Sequence, residues 1–277
     1  MQLKQALLSA RQKLSACGIE SSSLDAKLIL SFVTSYTNIQ LISHDDEELS
    51  EDVLTKYFSL IDKRATGYPT AYILGYKDFW SLTLKVNEST LIPRPDTETL
   101  VQAALDINPK GKVLDLGTGS GAIILSIKTE LQDNIEAFAC DYSKDALEVA
   151  RENADKYQLK VDFRHSNWFS SFENMKFSMI VSNPPYIEEH DENLSKTSLP
   201  FEPINALTSG VDGLDDIRVI AKESLKHLEV GGSLLLEHGY NQGQAVRDIL
   251  ENHGFKDVKT IQDLENRDRV TLGFYKG

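Results

Sequence analysis

Val113-Leu114-Asp115-Leu116-Gly117-Thr118-Gly119-Ser120-Gly121, followed by Ala122-Ile123-Ile124-Leu125, decides the fold. An apolar run enters a glycine-rich turn and leaves it as a helix, the opening of a nucleotide-binding unit in which missing side chains let the backbone approach a ligand closely. Dinucleotide sites space their glycines Gly-x-Gly-x-x-Gly. Here the third glycine arrives one residue early, and Asp115 stands two residues ahead of the first.

That arrangement resembles the first motif of S-adenosylmethionine-dependent methyltransferases, whose ligand has no pyrophosphate to anchor on a helix terminus. The α/β alternation then continues. Residues 135–140 read as a strand followed by Asp141, which can accept both ribose hydroxyls or else cap the helix expected over residues 144–157. That helix turns Ala146, Leu147, Val149 and Ala150 inward. A third strand over residues 161–164 leads to Ser166-Asn167-Trp168-Phe169, where Trp168 is placed to cover an adenine face; plain core packing is the other reading of either aromatic.

Phe177–Ser182 reads as a buried strand, so Asn183-Pro184-Pro185-Tyr186 falls just past its carboxyl end, where open sheets keep their sites. Two consecutive prolines remove two backbone donors and stiffen an acceptor-rich lip. A planar NH2 group could donate one hydrogen to the Asn183 side-chain oxygen and the other to the Pro184 carbonyl, with the Tyr186 ring on its face. A proline turn after a strand is the plain alternative. Glu188, Glu189, Asp191 and Glu192 follow as an acidic loop, which is solvated surface unless it meets a basic polypeptide. A helix over residues 215–228, a strand over 233–237, a helix over 242–252 and strands near 258–261 and 270–275 complete a doubly wound sheet.

Ahead of this, residues 2–66 read as helices. Leu3, Leu7, Leu8 and Leu14 recur at helical spacing, Ser23 caps a segment carrying Leu24, Leu28, Ile29 and Phe32, and Ser50 precedes Val53, Leu54, Tyr57, Phe58 and Ile61. The segment is a module that grips a partner or a stabilising appendage. Gly67-Tyr68-Pro69 is expected to end it, and alternation over residues 79–86 suggests a hairpin. Leu91-Ile92-Pro93-Arg94-Pro95-Asp96-Thr97-Glu98 is a proline-stiffened helix entry, with Thr97 or Asp96 as cap, that could fold over the cleft. The expected domains are a helical one over 1–70, a hairpin linker over 71–90 and a catalytic one over 91–277.

Composition narrows the function classes. The 277 residues and 41% hydrophobic content support a large core and a smaller one. A net charge of -13, from 42 acidic and 29 basic residues, disfavours direct nucleic-acid binding and suits a basic protein partner. No apolar run approaches the roughly 20 residues of a membrane span, so no membrane association is expected and the cytoplasm is the expected compartment. Two distant cysteines and six histidines without ligand spacing predict reduced thiols and no metal.

Together, residues 91–98, the glycine turn, Ser182-Asn183-Pro184-Pro185-Tyr186-Ile187 and Phe201-Glu202-Pro203 resemble the peptide chain release factor glutamine methyltransferases of bacteria and organelles, over essentially the whole chain. The resemblance implies a Rossmann-like class I α/β methyltransferase sheet with a small N-terminal helical domain and a connecting β-hairpin. It implies methyl transfer from S-adenosylmethionine to the side-chain nitrogen of the glutamine in the Gly-Gly-Gln motif of class 1 release factors, giving N5-methylglutamine and S-adenosylhomocysteine and supporting translation termination. By position, Gly117, Thr118, Gly119, Ser120, Gly121, Asp141 and Trp168 would bind the cofactor. Asn183 would touch donor and acceptor, Asn183 and Pro184 would be catalytic, and Pro184, Pro185 and Tyr186 would hold the glutamine. A methyltransferase of adenine-N6 or guanine-N2 amines and a non-catalytic module on the same scaffold are the competing readings.

Overall fold

Small and apolar residues spaced three to four apart make helices of the first 74 residues. The computed structural model describes residues 1–195 and 199–277, and the chain divides into two units, Met1–Tyr76 with Ser195–Phe201, and Lys77–Leu194 with Glu202–Gly277. Among the described residues, no helix is long and apolar enough to cross a membrane.

The first unit contains α1 (Leu3–Ala16), α2 (Ser22–Thr34), α3 (Asn38–Ser43), α4 (Glu51–Ala65) and α5 (Thr70–Leu74). Its core is Leu3, Ala6, Ala10 and Leu14 of α1, Ala26, Ile29 and Leu30 of α2, and Tyr57 and Ile61 of α4. The Tyr57 hydroxyl donates to the Ala26 carbonyl at 3.0 Å, and the buried Asp25 takes Arg64 at 2.8 Å. Ser50 caps α4, accepting from the Val53 amide. Other expectations shift. Leu8, Leu24 and Phe32 are exposed because alanines carry the close helix contacts, and Ser23 lies inside α2, whose cap position is Ser21. Gly67-Tyr68-Pro69 does not end the helical part: Pro69 starts one more short helix, α5, which Gly75 closes in the left-handed conformation (φ +78°).

The second unit opens with a hairpin, β1 (Tyr76–Phe79) and β2 (Leu82–Lys85), then α6 (Glu98–Ile107), β3 (Gly111–Leu116), α7 (Ala122–Leu131), β4 (Ile135–Asp141), α8 (Lys144–Lys156), β5 (Val161–His165) and β6 (Phe177–Ser182). It closes with α9 (Asp215–Ser224), β7 (Leu228–Glu237), α10 (Gly243–Asn252), β8 (Lys256–Gln262) and β9 (Asp268–Phe274). The large sheet has the order β5-β4-β3-β6-β7-β9-β8, parallel from β5 to β7, with β9 antiparallel to both its neighbours. Strand alternation sends Val113, Met179, Val181 and Leu235 to one face and Leu114, Ile180, Leu234 and Leu236 to the other, each under its own helices. The order reverses between β3 and β6, which leaves a crevice at their carboxyl ends.

The hairpin is tied to α8 by side chains. Asn153 accepts from the Lys85 amide at 2.7 Å and donates to its carbonyl at 3.0 Å, and the Tyr157 hydroxyl does the same for Thr83 at 2.7 and 3.0 Å. These bonds complete a strand edge that would otherwise face solvent.

Candidate active site

The glycine turn is held from several sides. The Gly117 and Thr118 amides donate to the Cys140 carbonyl at 3.0 and 2.9 Å, and Asn153 donates to the Ser120 carbonyl at 2.9 Å. Gly121 has φ +85°, and a Cβ there would lie 2.9 Å from Leu125, so the step into α7 has no room for a side chain. Asp115 is fully buried beneath the turn. Its Oδ2 accepts from the Thr118 hydroxyl at 2.7 Å, Oδ1 has no partner among the described residues, and burial pushes the carboxyl up to about 7.

Asp141, the last residue of β4, accepts from the Gly119 amide at 2.8 Å and from the Ser143 amide at 2.8 Å. Each carboxylate oxygen keeps a lone pair for a further donor. Burial raises its pKa, against the backbone amides that favour the charge. Ser143, not Asp141, occupies the cap position of α8. After β5, Trp168 adopts the left-handed region (φ +47°), a conformation that a bulky residue holds only where surrounding structure imposes it, and its ring lies 3.5 Å from where a Gly117 Cβ would stand. Phe169 instead belongs to the core and stacks on His227 with centroids 4.6 Å apart.

A cleft of about 580 Å³ opens at these strand ends, lined by Gly117, Gly119, Asp141, Trp168, Asn183 and Pro185, among others. The structure thus brings most of the expected residues to one wall system. Thr118, Ser120 and Pro184 are buried neighbours of these lining residues in the chain. Asn183 donates from Nδ2 to the Thr97 hydroxyl at 3.3 Å, which leaves Oδ1 as an acceptor. Tyr186 is pinned through its backbone, donating to the Leu207 carbonyl at 3.2 Å and accepting from Gln242 Nε2 at 3.0 Å. Its hydroxyl lies 3.4 Å from Glu237 Oε1, and burial followed by the Glu237 charge pushes the phenol upward.

Several contributors escaped sequence reasoning. Glu88, Ser89 and Thr90 line the cleft from the segment before the proline-rich entry, and Asn205 and Ala206 line it beyond the lip, beside Leu91 and Pro203 of the two motifs already quoted. Arg94 pairs with Glu202 at 2.5 Å, and Glu202 also accepts from the Ile92 amide at 3.0 Å, which joins those two segments. Thr97 and Glu237 were legible only as a cap and a strand end. The signal for Glu237 was its place after Leu234-Leu235-Leu236, the same end-of-strand position that singled out Asp141. The acidic loop at Glu188 and Glu189 is exposed and does not line the cleft. A larger, more open groove of about 770 Å³, lined by Ile135, Phe138, Arg151 and Lys160, lies toward the amino end of β4 and away from the lip.

The cleft's electrostatics are one-sided. Among the described residues, Glu88, Asp141, Asp145 and Asp216 line it, and no lysine, arginine or histidine does. Such walls favour a cationic, hydroxyl-bearing ligand and oppose a phosphate.

Comparison with known proteins fits this geometry. Residues 5–75 match the family model described as PrmC N-terminal domain, and residues 95–201 match that of the methyltransferase small domain. The release factor glutamine methyltransferase of Vibrio cholerae is 45% identical over 278 residues, covering 99% of this chain and 97% of that protein. The chain belongs to the release factor glutamine methyltransferase family. The Haemophilus influenzae member is 42% identical over 272 residues, with 93% of each chain covered, and the Escherichia coli member is 41% identical over 259 residues, with 92% and 93% covered. Solved structures share the sheet: a methyltransferase from Pyrococcus furiosus aligns with a TM-score of 0.51 at 20% identity over 70% of this chain and 88% of its own. The cleft of this methyltransferase lies at the carboxyl ends of the parallel strands, where open α/β sheets keep their ligand sites.

Proposed function

We propose that this methyltransferase transfers the methyl group of S-adenosylmethionine to the side-chain amide nitrogen of a release-factor glutamine, the one in the Gly-Gly-Gln motif of class 1 factors. The reading is carried by Asn183, which stands on the cleft wall with its NH2 committed to Thr97 and its oxygen available. The cofactor fits the residues present: acidic walls suit its cationic sulfonium and ammonium groups, Asp141 is placed for ribose hydroxyls, and Trp168 offers a ring to the base. When bound, it supplies an electrophilic methyl group.

The chain's own residues do the rest. An amide nitrogen is a poor nucleophile because its lone pair is delocalised into the carbonyl. Accepting both N–H hydrogens on Asn183 Oδ1 and the Pro184 carbonyl fixes the nitrogen's orientation and favours a more available lone pair. Alignment of this kind can remove up to roughly 7 to 11 kcal/mol of a bimolecular barrier. No strong base is needed at the start, because the nitrogen becomes acidic only as the new bond forms; its proton then passes along those same acceptors to water. The stiff lip keeps both acceptors in place. Tyr186 is assigned to packing beside the amide, and Pro185 to closing the cleft wall.

The helical unit, matched by its own family model and free of catalytic motifs, is assigned to recognising the release factor. Direct nucleic-acid binding is disfavoured by the net charge of -13 and by the acidic side chains Glu88, Asp141, Asp145 and Asp216 on the cleft wall. The test is mass spectrometry of purified release factors incubated with the protein and S-adenosylmethionine, with ribosomal protein and RNA as controls. A methyl group on the glutamine of the factor is the expected result. Methylation confined to a control substrate would overturn the assignment.

A further inference from the structure

Two prolines give the lip its mechanics. The rings of Pro184 and Pro185 lock φ, and each restricts the residue before it, so Asn183 to Tyr186 moves as a stiff piece whose carbonyls lie where its two ends are held. The near end is Ser182, paired in register with Leu116 of β3 and Leu236 of β7. The far end is Tyr186.

Gln242 holds that far end. It is 9% exposed in the connection between β7 and α10, and its carboxamide bonds three separate stretches of backbone. Nε2 donates to the Tyr186 carbonyl at 3.0 Å and to the Asp212 carbonyl at 3.3 Å, while Oε1 accepts from the Gly239 amide at 2.8 Å. Both amide hydrogens and the oxygen are thereby used. Although Gln242 stands at the cap position of α10, its side chain does not cap that helix. The backbone closes on the tie from the other side: a Cβ at Gly213 would lie 2.3 Å from the Tyr186 carbonyl oxygen and 2.8 Å from Gln242 Nε2. Because the Tyr186 amide also donates to the Leu207 carbonyl at 3.2 Å, the peptide planes on both sides of its Cα are fixed, and with them the direction in which the ring leaves the chain.

We propose that Gln242 is a positioning residue for methyl transfer, holding the Tyr186 carbonyl so that the Pro184 carbonyl, Asn183 and the Tyr186 ring keep their places on the acceptor side of the cleft. Gln242 does not stand among the described residues that line the cleft, so it acts through the lip backbone. The proposal rests on the assignment of the lip as the grip on the acceptor amide.

The test pairs kinetics with hydrogen exchange on the wild type, Gln242→Met and Gln242→Asn. The methionine keeps the length and removes all three hydrogen bonds. The asparagine, one methylene shorter, withdraws the carboxamide from Tyr186 but is a favoured cap for α10, which protects the fold. Each variant lowers kcat for the release factor by about tenfold or more, while KM for S-adenosylmethionine stays within about twofold. In the free protein the Tyr186 and Ile187 amides, which both donate to the Leu207 carbonyl, speed up by at least about tenfold more than the amides of Leu114 and Leu116 in β3, whose exchange reports global stability. An unchanged kcat, a kcat that falls in step with cofactor affinity, or Tyr186 exchange that rises only as much as that of β3 would each overturn the proposal, the last making Gln242 a residue of general stability. Absence of wild-type methylation would instead strike the proposed substrate, while the exchange ratio still decides whether Gln242 holds the lip.

Discussion

Asn183 has two polar ends with different tasks, and the structure separates them by tying Nδ2 to the Thr97 hydroxyl. In the proposed mechanism, removing the carboxamide deletes an acceptor for the reacting nitrogen, whereas the glycine turn, Asp141 and Trp168, proposed to hold the cofactor, still line the cleft. Asn183→Ala is thus expected to lower kcat by about two to three orders of magnitude, the scale seen when one preorganised group is lost from a reacting centre. Cofactor affinity in calorimetry should change by less than about threefold. A variant turning over near the wild-type rate would remove Asn183 from the chemistry. At this scale the sequence showed which residue types meet. Which end of the amide faces the cleft depends on a hydroxyl 86 positions away in the chain, beyond any local pattern.

At the scale of elements, α3 buries one of its six residues. Its Ile39 and Ile42 are 78% and 75% exposed and, three residues apart, share a face, while Leu41 is buried. A helix that shows two isoleucines to solvent gains little stability from them, so Ile39→Asp combined with Ile42→Asp should leave the thermal midpoint within about 2 °C. If the helical unit recognises the release factor through this face, KM for the intact factor rises by about tenfold and cofactor affinity is unchanged. An unaltered KM would move recognition elsewhere. Element boundaries were less legible than element types. The helix expected over residues 215–228 stops at Ser224 because β7 begins at Leu228, where Phe177 of β6 supplies a partner, and strand pairing of that kind is invisible in a linear pattern.

Across the whole molecule, two buried carboxyls tie stability to pH. Burial raises Asp115 and Glu237 each to about 7, above their ordinary values of 3.8 and 4.5. Between those ordinary values and about 7 the native chain binds more protons than the unfolded one, so stability falls as pH rises through that window; their favourable contribution is complete below it and lost above about 7. His238 acts with the opposite sign: its lowered pKa gives stability above its ordinary 6.5 that is lost on acidification. The difference between wild type and Glu237→Gln isolates the carboxyl. In denaturant titrations without cofactor, the variant should gain on the wild type by on the order of 3 kcal/mol between about pH 5 and pH 8. A pH-independent difference would place the Glu237 titration outside that window.

The amino-acid sequence by itself determined the strand-turn-helix at Gly117 to Gly121, the placement of Asp141 and Asn183 at strand ends, and the helical character of the first segment, because periodicity and glycine spacing are local properties of the chain. Only the tertiary structure decided that Trp168 faces the cleft while Phe169 enters the core, that Thr97 meets Asn183 and Glu237 meets Tyr186, and that Leu8, Leu24 and Phe32 stay outside. Those outcomes depend on which surfaces and polar groups from distant segments compete for the same space, and that competition is settled only when the layers close.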